Sequence, residues 1–277
     1  MRRLMSISAA FVVVLSFVFS SIAFAQQARV IEETLILKDP TVAAAGKWVA
    51  GGALEYFYVR GPWKAFDKAG NVTETGTVSF SLPGANIFAG YGDFTVNYAY
   101  KNGSGNTNLS FTSDGVTHTD ATRQRENEIT IRWLIRDLAQ KYFTPYVLAG
   151  YTQVNTNDTD TLTTPGFVWA YNLQTTSRST TDFKGPLAGI GVIVPVNNTL
   201  GFRIDGRVMR TSATFTRDDG FQVSGSGTSG GLTGTMYVNI VEGLNLQLGG
   251  RLENLNGGAA GQRTRSGAFA MIGYSFK

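Results

Sequence analysis

The stretch that decides the fold is GAFAMIGYSF, residues Gly267–Phe276, near the end of the 277-residue chain. Every second residue counted back from its last position is apolar: Phe276, Tyr274, Ile272, Ala270 and Ala268. The alternate positions are smaller and more mixed: Ser275, Gly273, Met271, Phe269 and Gly267. A side-chain period of two belongs to a β-strand whose two faces meet different surroundings. The chain therefore ends in a strand with one apolar face and an aromatic terminus.

Residues 1–25 have the three parts of a secretory signal peptide. Arg2 and Arg3 supply the charged start, Phe11–Phe19 the apolar core, and Ala23–Ala25 the small residues of a cleavage site. A transmembrane helix would need about 20 apolar residues, and serines interrupt this stretch. We predict that the leader is cleaved after its last alanine.

The charge balance points away from nucleic acid. Loss of the two leader arginines leaves 22 basic against 20 acidic residues and lowers the formal net charge from +4 to +2. Since there is no basic tract, we predict no nucleic-acid partner. Export would permit disulfides, yet the chain contains no cysteine. A closed ladder of backbone hydrogen bonds is the alternative source of stability.

Ten segments alternate like strands, and their connections alternate in length. The predicted short turns are 83–85, 139–141, 196–198 and 241–243, and the predicted long loops are 61–73, 102–124, 156–181, 215–229 and 255–264. This asymmetry is typical of membrane barrels, which have short periplasmic turns and long outer loops. In lipid the sheet must close, because every backbone polar group needs an internal partner. We predict an all-β, antiparallel, up-and-down transmembrane β-barrel of about ten strands, or eight or twelve if the loops are misjudged.

The terminal strand and the alternation over residues 46–277 resemble small bacterial outer-membrane β-barrels, the OmpA/OmpX-like class. The extra Lys277 after Phe276 is a small departure. The resemblance implies a monomer in the outer membrane of a Gram-negative bacterium, in contact with membrane lipid and lipopolysaccharide. It also implies insertion by the barrel assembly machinery, with the last strand as the assembly signal. Residues 26–45 would form a short periplasmic extension, broken by Asp39-Pro40.

The strand faces predict what meets the lumen and what meets the headgroups. Eleven charged residues lie opposite the apolar faces or near the turns: Glu55, Asp93, Glu126, Glu128, Arg132, Arg136, Arg203, Asp205, Arg207, Arg251 and Glu253. Aromatic residues toward strand ends predict an interfacial girdle: Trp48, Tyr56, Tyr58, Tyr98 and Tyr100. A soluble β-sandwich would not need a charged face inside. The mixed charges fit either a plug of ion pairs or a narrow pore that selects small solutes.

Catalytic and metal motifs are weak. The single histidine, His118, is followed by Asp120 where barrel-borne lipid hydrolases carry a serine. Asp158 and Asp160 imitate one carboxylate pair of omptin-type proteases, but the second pair is reversed in order. The oxygen-rich stretch 155–160 lacks the glycine and the closing glutamate of a calcium loop. We predict no cofactor, no metal and no catalytic site.

Three functions remain open at the level of the sequence. The leading hypothesis is a non-enzymatic barrel with a structural or surface-interaction role, in which the long loops contact an extracellular ligand. The alternative is a narrow porin-like channel for small solutes or ions with a charged lumen. The third is a barrel-borne lipid hydrolase or protease.

Overall fold

The architecture was obtained as a computed structural model. It describes residues 38–66, 72–110, 117–139, 142–164 and 173–277. The predicted signal peptide and its cleavage site lie outside the described residues, so both remain predictions. Within the described ranges, no helix is long and apolar enough to cross a bilayer.

Ten long strands make up almost all of the described chain. They are β1 Trp48–Phe66, β2 Val72–Tyr91, β3 Phe94–Ser110, β4 Thr117–Leu134, β5 Thr144–Thr164, β6 Leu173–Pro195, β7 Leu200–Arg217, β8 Gln222–Asn239, β9 Leu244–Asn256 and β10 Gln262–Phe276. Two short 3-10 turns, Arg136–Leu138 and Gly258–Ala260, lie between strands. The predicted strand count of ten is confirmed.

Each strand pairs with its sequence neighbours, and the first and last strands close the sheet. β1 pairs antiparallel with β10, from Ala50 opposite Phe276 to Lys64 opposite Gln262. Because the barrel is closed, neither terminal strand presents a free edge to lipid. The predicted fold class, an antiparallel transmembrane β-barrel, is confirmed.

The connections at the two ends of the barrel differ. Gly92-Asp93 and residues 135–139, 142–143, 196–199 and 240–243 lie at the end where β1 begins and β10 ends, which we call the terminal end. The last residues of β1, β3, β5, β7 and β9 lie at the other end, which we call the loop end. The predicted turn at 83–85 is wrong. β2 runs straight through Pro83, and the chain reverses at Gly92, whose φ of +56° favours glycine.

The predicted long loops are also wrong, because strands occupy half or more of each. β6 has 23 residues and β5 has 21, whereas about 9–11 residues suffice to cross the hydrocarbon. The surplus extends the wall by roughly 25–30 Å at the loop end. The residues concerned are mainly Thr, Ser, Asn and Gly. The described outward side chains of this extension are mainly polar, and inward apolar residues such as Phe183 and Ala213 alternate with polar ones, so the sequence shows no continuous apolar face there.

The outer face of the wall carries an apolar band. Its exposed members include Trp48, Leu54, Ile87, Val96, Ile129, Ile131, Trp133, Ile204, Val208, Leu232, Leu252 and Ile272. A soluble monomer rarely exposes so large a continuous apolar surface, so the band faces lipid. Ala268, Ala270, Ile272, Tyr274 and Phe276 are its β10 members and all point outward. At a tilt of about 40°, that segment covers roughly 20–23 Å, close to the ~25 Å of membrane barrels.

Aromatic residues mark both edges of the band. At the terminal end, Trp48 packs on Tyr91 with ring centroids 4.9 Å apart, and Phe94 stacks on Trp133 at 5.9 Å. Toward the loop end lie Tyr56, Tyr58, Tyr98 and Tyr100. The Tyr56 hydroxyl donates to Ser81 and the Tyr98 hydroxyl to Asn127. The five predicted girdle residues are therefore divided between two edges.

Apolar side chains also fill parts of the lumen. Val78, Phe80 and Leu82 form an inward cluster with Phe57, Phe269 and Met271. At the loop end, Val154, Phe183, Leu187, Met209, Ala213 and Leu255 form a second inward cluster, together with Ala260 from the β9–β10 connection. Apolar residues in this barrel therefore face lipid along the band and also pack inside the barrel in clusters such as these two.

Candidate functional site in the barrel lumen

A network of buried ion pairs crosses the middle of the lumen. It joins four carboxylates to four cations, namely Glu55, Glu126, Glu128 and Glu253 to Lys101, Arg207, Arg251 and Arg265. These residues come from β1, β3, β4, β7, β9 and β10. Formal charges balance within the set, so the network fills the lumen without leaving a net charge. We refer to these eight residues as the central network.

The tightest contacts lie around Arg207, Arg265 and Glu253. Arg207 donates to Glu128 at 2.7 Å and to Glu253 at 3.1 Å. Arg265 Nε donates to Glu253 at 2.7 Å, and another of its nitrogens reaches Glu126. Charge-assisted bonds of this kind hold each guanidinium in a fixed orientation. Arg251 adds a bond to Glu128 at 3.2 Å.

Lys101 extends the network toward β1. Its Nζ lies 3.4 Å from Glu55 and 3.9 Å from Glu126. The ammonium also lies 5.6 Å from the ring centroid of Phe57, a cation–π distance. Lys101 and Arg265 were missed at the sequence level because they lay in or beside stretches taken for loops. The signal was present in the continued alternation of Arg263, Arg265, Phe269 and Met271 on one face of β10.

The chain preceding β1 enters the terminal end of the lumen. Only the part from Lys38 onward of the predicted extension 26–45 is described, and Asp39–Ala43 are buried in the barrel mouth. Thr41 lies at the centre of this contact. Its carbonyl accepts from Thr95 and Arg132, both at 3.0 Å, and its hydroxyl oxygen accepts from Arg132 and Arg203. We call residues 38–46 the N-terminal plug.

An apolar collar surrounds the middle of the N-terminal plug. Val42 is fully buried against Leu134, Tyr146, Ile193 and Tyr237. The next residue of the plug, Ala43, packs on Val49 and Phe88. Side chains of β4, β5, β6 and β8 thus pack around Val42, and side chains at the terminal ends of β1 and β2 pack around Ala43. The plug combines apolar packing with hydrogen bonds from the wall to its backbone.

Asp39 sits beside two arginines of the wall. Its Oδ1 accepts from the backbone and hydroxyl of Thr41 at 2.8 and 2.6 Å, and Arg203 lies 3.5 Å away. Burial acts to raise the pKa of Asp39. The guanidinium groups of Arg203 and Arg132 and the bonds from Thr41 outweigh burial and hold the pKa below its usual range. The Oδ2 atom has no hydrogen-bond partner among the described residues.

Charged residues also fasten the rim of the terminal end. Arg136 pairs with Asp93, donates to the carbonyl of Ala43 at 2.8 Å, and reaches the carbonyl of Gly92. Asn239 donates to the carbonyl of Lys38, and Lys277 donates to the carbonyl of Asp39 at 2.7 Å. Asp93 and Arg136 therefore lie at the rim, below the middle of the lumen where the other predicted charges point inward.

A cavity of about 180 Å³ lies between the central network and the N-terminal plug. Its charged lining is Lys101, Arg132, Arg203, Arg207 and Arg251 against Glu55, Glu128 and Asp205. Asp205 accepts from the Tyr146 hydroxyl at 3.3 Å. Such a polar space is large enough for several water molecules. Side chains of the central network therefore border this cavity on one side, and Thr41 of the N-terminal plug borders it on the other.

The candidate catalytic residues lie in the wall. His118 belongs to β4, in register with Leu109 and Leu162, and its side chain is outside the described set, as is that of Asp160. The Asp158 carboxylate lies 3.5 Å from Arg263, whose Nη1 donates to Thr156 at 2.7 Å.

The oxygen-rich stretch 155–160 is part of β5. Successive side chains of a strand point to opposite faces. The exposed Asn157 and the inward Asp158 therefore lie on two sides of the wall and do not converge on one ion. Among the described residues, no group of acidic or histidine side chains could hold a metal.

Comparison with known proteins shows the fold alone. No family model and no curated protein matches the sequence. The outer membrane protease OmpT from Escherichia coli is 9% identical, with 86% of this chain and 100% of that chain covered and a TM-score of 0.59. The translocator domain of the autotransporter NalP from Neisseria meningitidis is 12% identical, with 87% and 93% covered and a TM-score of 0.51. The architecture is that of a bacterial outer-membrane β-barrel, and the narrower OmpA/OmpX-like resemblance remains a prediction.

Proposed function

We propose that this chain is a non-enzymatic outer-membrane barrel with a closed lumen, and that its work is structural or carried out at its outer surface. The observation that carries the proposal is closure at two levels, by the central network and by the N-terminal plug. An open solute path would contain neither barrier, whereas here two independent barriers follow one another along the lumen. The terminal end faces the periplasm and the loop end faces the outside.

The extended wall replaces the long loops as the surface offered to an extracellular ligand. β5 and β6 carry the wall furthest, and their described outward side chains there are Thr and Asn together with Arg178, Asp182 and Lys184. Such a surface is rigid, because the ladder of β5 and β6 continues from Thr144 opposite Ile193 to Thr164 opposite Leu173. A rigid polar wall suits contact with other envelope components and resists proteolysis.

Current through a planar bilayer tests the closed lumen. Refolded protein, verified as a barrel by its heat-shifted gel mobility, should give no steady openings. Ohmic openings whose ion selectivity changes in Arg203→Ala would overturn the proposal, because they would mean that ions pass the plug and the central network. Asp219→Ala, a change in an exposed ion pair at the loop end, is the matched control.

A gated conduit is the second candidate, favoured by the cavity between the two barriers. Two small side chains and several backbone carbonyls hold the plug in place. Deletion of residues 38–46 distinguishes the two proposals. The closed barrel stays silent after the deletion, because the central network still fills the lumen. A conduit conducts and prefers anions, because Arg132 and Arg203 lose their plug contacts.

The absence of enzyme activity is part of the same proposal. Asp158 is engaged by Arg263 inside the wall, and the lumen chemistry consists of paired charges. Hydrolysis of a fluorogenic peptide library or of phospholipid vesicles by the refolded barrel, lost in His118→Ala, would contradict it.

A further inference from the structure

The outer surface carries a cluster of cations directly above the apolar band on one side of the barrel. Arg123 and Arg125 of β4, Lys184 of β6 and Arg210 of β7 point outward and are exposed. On these strands the outward series changes from apolar to polar at one level. Toward the loop end, Arg125 lies beyond Ile129 and Asn127, Lys184 lies beyond Pro186, and Arg210 lies beyond Val208. We call these four residues the basic patch.

Few carboxylates lie close enough to the basic patch to balance its positive charge. Arg123, Arg125 and Arg210 have no carboxylate within 4 Å among the described residues. The nearby outward acid is Asp182, which lies 3.6 Å from Lys184 and accepts from Gln153. Three guanidinium groups are therefore available to an external anion. Arginine suits phosphate because its planar fork can donate two parallel bonds.

The neighbouring side chains suit a sugar phosphate. Strand β5 lies between β4 and β6, and Asn155 and Asn157 stand opposite Arg125 and Arg123. Amide side chains at these positions can bond to sugar hydroxyls between the phosphates. Arg125 and Arg210 are three strand spacings apart and four residues out of register, or about 20 Å along the sheet, a span that their long side chains shorten. A headgroup with more than one phosphate can therefore engage both ends of the patch.

We propose that the basic patch binds the phosphorylated headgroup of lipopolysaccharide, at the level of its lipid A. The height of the patch carries this choice of ligand, because acyl chains packed on the apolar band would hold the phosphates beside these arginines. Among the described residues, the opposite side of the barrel exposes Arg60 and, higher on the same strand, Lys64, and it carries no comparable group of arginines; Arg60 is paired there with Ser79 and Ser266. The inference rests on the proposed orientation, with the loop end outside.

Binding of fluorescent diphosphoryl lipid A to the refolded barrel in detergent tests the patch. The variant Arg123→Ala/Arg125→Ala/Arg210→Ala should bind at least about tenfold more weakly, because each basic residue near an anionic membrane surface contributes appreciably. Arg60→Ala, at the same height on the far side, should stay within about twofold of the wild type. Lipid A stripped of its phosphates should bind equally weakly to wild type and triple variant.

Three results would overturn the proposal: equal binding by the triple variant, an equal loss in Arg60→Ala, or tight binding of the dephosphorylated lipid. If the triple alanine variant does not show the gel mobility of a folded barrel, Arg123→Lys/Arg125→Lys/Arg210→Lys replaces it. This variant keeps the positive charges and removes the planar guanidinium groups, and it should bind lipid A at an intermediate level. The readout is independent of conductance. A conducting barrel that still binds contradicts the closed lumen alone, and a silent barrel that does not bind contradicts the patch alone.

Discussion

Glu253 is the residue on which the central network depends most directly, since it accepts from both Arg207 and Arg265. Glu253→Ala leaves these two guanidinium groups buried and less compensated. Removal of one partner from a buried pair costs about 3–5 kcal/mol, so we expect a loss of unfolding free energy in that range. Urea unfolding of the barrel in lipid vesicles, followed by tryptophan fluorescence, measures it.

Two controls make this result specific. Glu253→Gln keeps the shape and some hydrogen bonds and should lose less stability. Asp219→Ala removes an acid from an exposed pair with Arg217 and should leave the midpoint unchanged. If Glu253→Ala is as stable as the wild type, water entering the lumen replaces the carboxylate, and the network is no barrier.

Asp39 gives the N-terminal plug a defined response to acid. Its pKa is held below the usual range when the plug is docked. The stabilisation is therefore complete above the ordinary pKa of about 4 and is lost as pH falls through the lowered pKa. Docking should be constant between pH 5 and 8 and weaken below about pH 4.

The absence of native cysteine makes this measurable. A single thiol introduced by Ala43→Cys is buried in the docked plug. Its rate of reaction with dithiodipyridine, which works in acid, should rise below pH 4. In Asp39→Asn the thiol should react faster at neutral pH and depend less on acidity. A rate that is independent of pH in the parent would contradict the role of Asp39.

Alternation in the sequence indicates the direction of a side chain where it is clear, and gives no signal where contacts distant in sequence decide the position of a residue. Glu126, Glu128 and Arg132 share a face with each other opposite Ile129 and Ile131, and this pattern indicated an inward direction. Asp39 and Thr41 gave no such signal, because they precede the first strand and bind the wall through long-range contacts. Nothing local in a sequence marks a segment that folds back into a lumen.

Glycines opposite inward aromatic side chains recur between neighbouring strands. Tyr146 lies opposite Gly191, Tyr237 opposite Gly201, Phe269 opposite Gly249 and Phe88 opposite Gly51. In each pair a Cβ added to the glycine would overlap the aromatic ring. Each ring therefore lies flat over a glycine, which keeps the large side chain against the wall.

Gly191→Val should displace the Tyr146 ring, which belongs to the collar around Val42. Forced repacking of this kind costs about 1–3 kcal/mol, and the plug should loosen with it. We expect a lower urea midpoint and a faster reaction of the Ala43→Cys thiol at neutral pH. Gly206→Ala is the control, because no heavy atom lies within 4 Å of its added Cβ. An unchanged thiol reaction rate in Gly191→Val would mean that the position of the Tyr146 ring does not affect docking of the N-terminal plug.

Strand ends were the part of the elements that sequence could not place. Alternation marks a strand only where its two faces meet different surroundings, as in the apolar band. Above the band, Thr156 and Asn157 on opposite faces of β5 are equally polar, so the pattern disappears while the ladder continues. The turn predicted at 83–85 was wrong for another reason, since a proline-glycine pair usually marks a turn. Here the pairing of β2 with β1 carries the chain past it.

At the scale of the molecule, the barrel is organised in layers along its axis. The N-terminal plug closes the terminal end, the cavity and the central network follow, and an apolar cluster with Ala260 fills the loop end. The apolar band encircles the lower part of the wall, and the basic patch stands above it on one side. This layering agrees with the proposed closed lumen, and the basic patch on the outside agrees with the proposed function at the outer surface.

Closure by β1 and β10 is the property on which all of these layers depend, and it can be tested by a covalent bond. Ala53 and Gly273 are paired across the seam, and a Cβ on Gly273 would lie 2.9 Å from that of Ala53. A small relaxation brings the two Cβ atoms to the 3.5–4.5 Å of a disulfide.

Ala53→Cys/Gly273→Cys, oxidised after refolding, should form the bond and keep its folded gel mobility after heating in detergent. Ala53→Cys/Gly267→Cys places the thiols out of register and should not form it, because Gly267 is opposite Val59. Equal bond formation in both variants would mean that the seam slides, and the fixed positions of the lumen charges would then have no basis.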